Sequence, residues 1–174
     1  DAISWAAARS LRGRREEGAA MTTQLELRIA TARRAATYVN QGYHCSEAVV
    51  KAVAPHVVRD WCPACLRSAT GFAGGLGGTR MELCGALAGG VLVIGALFGR
   101  ITLEDDALAQ RLAAQFRERF IETFGMTQCA ALRENVVNVD GGLGSCSELV
   151  ERATMVLLSL LGEAGVQLKE ESSE

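Results

Sequence analysis

A basic surplus is missing: 18 Lys and Arg face 20 Asp and Glu, and the net charge is −2. Nothing in that balance prepares a surface to neutralise phosphates, which argues against a nucleic-acid partner or an anionic membrane surface. A long hydrophobic run is missing too. The most apolar stretch, Leu83 to Phe98, is interrupted by Gly85, Gly89, Gly90 and Gly95. It falls short of the roughly 18 residues of a spanning helix, so a buried helix is predicted rather than membrane insertion. No Ser-His-acid grouping is present. The glycine run Gly71 to Gly78 lacks the Lys-Ser/Thr of a phosphate-binding loop and reads as a turn. The start of the chain has no basic, apolar and small-residue sequence of a signal peptide, which predicts a cytoplasmic protein. Prolines number only two and aromatics make up 5% of the chain, whereas glycines number 19. Those glycines cluster between Gly71 and Gly99 and around Gly141 to Gly144, which suits turns and close packing.

What is present is helical. Leu25, Ile29, Ala32, Ala36 and Val39 form one apolar stripe, and Cys45, Ala48, Val49, Ala52 and Val53 form another. Leu108, Leu112, Phe116, Phe120 and Phe124 recur at four-residue steps, and Leu149, Val150, Ala153, Leu157, Leu160 and Leu161 give a last long helix. No segment alternates with period two. The expected fold class is therefore all-α: a single bundle of about six or seven helices, with a Gly-rich helix from Met81 to Phe98 buried at its centre. Residues 1–20 read as an N-terminal extension or leader, 21–168 as the helical cysteine-containing domain, and 169–174 as an acidic tail.

Thr79 with Glu82 and Ser145 with Glu148 have capping-box spacing, and Thr102 precedes Glu104, Asp105 and Asp106, a solvated first turn. Six cysteines in a chain this long and helical read as reduced or ligating thiols rather than disulfide staples. Cys45-Ser46-Glu47 and Cys146-Ser147-Glu148 each head a helix, where free N–H groups and the dipole favour a thiolate. On the same reading Cys84 lies in the second turn after Thr79, and Cys129 follows a cap at Thr127. Any one of them alone could be a small buried hydrophobe.

Their order, with Gly42-Tyr43-His44-Cys45-Ser46-Glu47-Ala48-Val49, then a glycine-rich turn, then Cys84-Gly85-Ala86-Leu87-Ala88-Gly89, then Cys129 and Cys146, resembles the C-GCAxxG-C-C family of redox-active proteins. The resemblance runs from about Leu25 to Leu161. It implies that Cys45, Cys84, Cys129 and Cys146 are the four signature cysteines, with Gly85, Ala86 and Gly89 as companions. A related domain of split-Soret cytochromes holds an iron-sulfur cluster beside haems, so cluster binding and electron transfer are implied here. Haem is not, because Cys65 is followed by Leu66 and no haem-attachment motif exists. Three of the four would suffice if His44, solvent or a neighbouring subunit completed the shell.

Cys62-Pro63-Ala64-Cys65, after Trp61, lies outside this pattern and forms a candidate redox pair, although no βαβ context surrounds it. Two alternatives to an iron-sulfur carrier follow: a thiol-disulfide protein using Cys62 and Cys65, and a zinc-binding structural or accessory subunit. His44 reads as a solvated helix-start residue with metal ligation as its other role, and His56 as a surface or capping residue. Glu118 and Glu122 share a helix with Arg117 and Arg119 and read as its wet face. The partner expected is a redox protein. A homodimer or a place in a redox complex is expected as well, from the Gly85/Gly89 small-residue face.

Overall fold

Helix starts in this chain follow local chemistry wherever no distant strand-like pairing competes. A computed structural model describes residues 2–169, with side chains from Met21 onward. It contains α1 (Ala2–Asn40), α2 (Cys45–Val57), α3 (Arg67–Thr70), α4 (Gly85–Phe98), α5 (Ala107–Phe124), α6 (Cys129–Leu132) and α7 (Cys146–Glu163). A 3₁₀ turn (Pro63–Leu66) precedes α3, and a π turn (Arg133–Val137) continues α6. There are no strands among the described residues, so the fold is all-α as expected. The backbone of α1 runs through most of the 1–20 segment. The side chains of that segment and the 170–174 part of the acidic tail lie outside the described residues.

Ser145 caps α7 as predicted, its Oγ accepting from the Glu148 N–H at 3.2 Å. At α2, Glu47 reaches back to accept from the His44 N–H at 2.9 Å. Three other starts fall elsewhere. Residues around Leu83 are extended and pair in an antiparallel bridge with Gln128. The Cys84 N–H donates to the Thr127 carbonyl at 2.7 Å and the Cys129 N–H to the Glu82 carbonyl at 2.8 Å. Thr79 Oγ1 donates instead to the Gly75 carbonyl. That non-local pairing overrides the Thr79/Glu82 box, so α4 begins at Gly85 with Cys84 as its N-cap, and Met81 is exposed rather than helical and buried. Likewise Gln128, not Thr127, caps α6. Thr102 binds Glu104, while Asp105 accepts from the Ala107 N–H, so the acidic run precedes α5 instead of opening it.

The core lies where α4 packs on α2, α5 and α7, with α1 covering α7 and α2. From Gly85 to Gly90, α4 is buried at every position. Its glycines are contact surfaces. A Cβ on Gly90 would strike the Phe116 ring of α5, and one on Gly89 would lie 2.7 Å from the Ser46 carbonyl of α2. The Gly85/Gly89 face is therefore spent inside the chain, and it offers no surface for the self-association expected from it. Phe116, Phe120 and Phe124 form the predicted stripe, edge-to-face and tilted at 6.3 and 4.6 Å between successive centroids. Leu108, at the head of that stripe, is exposed, and the stripe begins at Leu112.

Candidate four-cysteine site

Four loops deliver four thiols to four helix starts. Cys45 and Cys146 are the first residues of α2 and α7, Cys84 is the N-cap of α4, and Cys129 is the first residue of α6. The bridge at Leu83 and Gln128 holds Cys84 and Cys129 on neighbouring segments of the chain. Gly85 brings Cys45 close, since a Cβ on Gly85 would collide with the Cys45 sulfur.

The glycine-rich segment supplies a wall. Gly74, Gly75, Leu76, Gly77 and Gly78 all have φ between 58° and 76°, so the chain makes a left-handed turn. Such a turn costs each L-residue roughly 1–2 kcal/mol, and glycine at four of the five positions makes it affordable. Gly75 is buried under it. A Cβ there would lie 2.9 Å from the Cβ of Cys129 and 2.8 Å from the Cα of Arg80.

All four cysteines line one cavity of about 200 Å³, together with Tyr43, His44, Gly74, Arg133 and an apolar floor that includes Val39, Leu149 and Val150. That volume far exceeds the roughly 10–15 Å³ needed for one water. As the side chains stand, no three His, Cys, Asp or Glu among the described residues converge closely enough to hold a single metal ion. The thiols surround a space rather than a point.

Burial first, and then the neighbouring Cys45, push the Cys84 thiol up to about 12; the Ala86 and Leu87 N–H groups pull against them, and Cys129 adds the smallest push. Burial also raises Cys129, with Cys45 and Cys146 adding to it and Arg133 and Arg80 opposing. At these two positions burial is the largest influence and outweighs what favours the charged thiolate. A cation is at hand: Arg133 Nη1 donates to the Cys146 sulfur at 3.3 Å. Arg133 was missed in the sequence, where its signal is the four-residue spacing from Cys129 on one helical turn.

The family model described as "Putative redox-active protein (C_GCAxxG_C_C)" matches residues 43–160. This chain belongs to that family. Membership carries a redox role, and the matched span contains all four cavity cysteines. The triplet that the family name writes Gly-Cys-Ala reads Cys84-Gly85-Ala86 here. Comparison with curated proteins and with solved structures gives no match.

Of the remaining candidates, His44 alone touches the cavity. Cys62 and Cys65 are exposed and do not line the cavity. His44 is exposed at its rim. His56 is buried, not a surface residue, and its Nδ1 lies 2.7 Å from the Lys169 carbonyl. Glu118, Glu122 and Arg119 line an open groove between α5 and α7, where Arg119 pairs with Glu163 at 2.6 Å. No helix of the described residues is long and apolar enough to cross a membrane.

Proposed function

We propose that Cys45, Cys84, Cys129 and Cys146 hold an iron-sulfur centre and that the chain carries electrons to a redox partner protein. The observation that supports this reading is that four thiols, far apart in sequence, line one cavity. The donor set fits the group: soft thiolates suit iron-sulfur chemistry, and donors that surround a cavity suit a polynuclear centre better than one zinc ion. Bound there, the centre would supply reversible one-electron transfer.

The chain's own residues do the rest. Arg133 offsets the negative charge of the Cys146 sulfur, and the N-termini of α2, α4 and α7 offset that of the thiolates they carry. The apolar floor under the cavity solvates added charge poorly, which contributes to the cost of adding an electron and hence to the potential. The raised Cys84 and Cys129 thiols must lose protons on loading, so loading is coupled to proton release.

Anaerobic purification followed by iron, zinc and acid-labile sulfide analysis tests this. Iron with sulfide is the expected result. Stoichiometric zinc without sulfide would put the structural-zinc reading in its place, and metal-free protein that takes up no iron on reconstitution would overturn both.

A further inference from the structure

Cys62 and Cys65 are unused by the four-cysteine site, and both are exposed. Their sulfurs lie 3.0 Å apart. Closing a disulfide, with a bond of about 2.0 Å, would need a movement of only about 1 Å.

The backbone holds the pair ready. The Cys65 N–H donates to the Cys62 carbonyl at 3.0 Å, and Pro63 fixes the first position of the 3₁₀ turn. Trp61 packs against the core on one side. On the other, Ser68 Oγ holds the Cys65 carbonyl at 2.6 Å, and α3 is tied to α2 by Ser46 to Ala69 and Thr70 to Glu47 hydrogen bonds. The two sulfurs are also unequal. Cys62 is lowered, chiefly by the hydrogen bond from the Cys65 thiol and then by the Cys65 N–H, while Cys65 is raised by the same contact. One thiol is prepared to attack and the other to stay protonated until called on.

We propose that Cys62 and Cys65 form a second redox site, a dithiol that exchanges with accessible disulfides, glutathione disulfide being the probe. The Cys62 thiolate attacks one sulfur of the probe; that S–S bond breaks, and one glutathione leaves and takes a proton from solvent. Cys65 then loses its proton to solvent and attacks the Cys62 sulfur of the mixed disulfide, and the second glutathione leaves. The pair is oxidised by two electrons, the probe is reduced to two thiols, and two glutathione molecules reverse the sequence.

Trypsin should cut after Arg59 and Arg67, releasing Asp60–Arg67, which contains these two cysteines and no others. Intact protein is equilibrated in buffers of graded glutathione to glutathione-disulfide ratio, acid-quenched, alkylated and digested. The expected result is a reversible conversion of this peptide from the doubly alkylated dithiol to an unalkylated disulfide, two hydrogens lighter than the free dithiol peptide. Cys65→Ser should trap one glutathione on Cys62, forming on the order of ten-fold faster than the adduct on Cys65 in Cys62→Ser. A peptide that stays a dithiol at every ratio, or that gains two glutathiones without closing, overturns the proposal. Faster capture by Cys65 than by Cys62 overturns the assigned roles. The wild-type titration needs no variant to fold, and it is independent of whether the cavity holds iron.

Discussion

Six thiols in one chain differ mainly in what surrounds each sulfur. Cys62 is exposed and lowered by a thiol donor, whereas Cys84 is buried and pushed up to about 12. In the metal-free protein at neutral pH, iodoacetamide should therefore modify Cys62 first and Cys84 last, read by peptide mass mapping over time. Equal rates at the two positions would mean that Cys84 is not enclosed as described. The same burial gives a pH dependence. Cys84 has a folded value above its ordinary 9.0, so its neutral form stabilises the fold fully below about pH 9. That contribution is lost as pH rises from 9.0 towards about 12. Urea titrations of metal-free protein across this range should fall more steeply for the wild type than for Cys84→Ala. Parallel curves would contradict the shift.

At the scale of the element, α4 shows how glycine changes meaning with its neighbour. Alanine is favoured over glycine inside a helix by roughly 0.5–1 kcal/mol, so a Gly→Ala change stabilises wherever there is room. Gly95 has nothing within 4 Å of an added Cβ, whereas Gly90 is seated on the Phe116 ring. Gly95→Ala should raise the stability of the chain by about 0.5–1 kcal/mol, and Gly90→Ala should lower it by about 1–3 kcal/mol, both measured by urea unfolding. The same sign for the two would refute the packing of α4 on α5. Elements built from local signals were legible in the sequence: the α2 and α7 starts, because Ser, Glu and Cys stand within one turn of each other, and the Phe116 to Phe124 stripe, because four-residue spacing needs no partner. The starts of α4 and α6 were not, because Leu83 and Gln128 pair across a long stretch of chain and remove the Thr79/Glu82 cap from competition. The left-handed run through Leu76 was visible only as glycine density. Its role as a cavity wall depends on Gly75 lying against Cys129, a contact no local pattern encodes.

For the molecule as a whole, closure of the bundle is what gathers the site. Gln24 of α1 exchanges two hydrogen bonds with Leu168, at 3.1 and 3.0 Å, and His56 of α2 meets Lys169, so the end of the described chain is fastened to its first half. Within that frame Cys45 and Cys146 arrive from opposite ends of the matched span, and Cys84 and Cys129 arrive side by side. The choice of these four came from the family resemblance and the expectation that they meet from their places near helix starts, not from their spacing, which matches no compact ligand motif. The central claim is that these four thiols, and not the exposed pair, hold the redox centre. The most direct test compares iron content and visible spectrum after anaerobic reconstitution of Cys45→Ser, Cys84→Ser, Cys129→Ser and Cys146→Ser with a Cys62→Ser/Cys65→Ser double variant. Each of the four single variants should lose iron or shift the spectrum, and the double variant should match the wild type. Loss of the centre in the double variant, with the four single variants keeping theirs, would contradict the account.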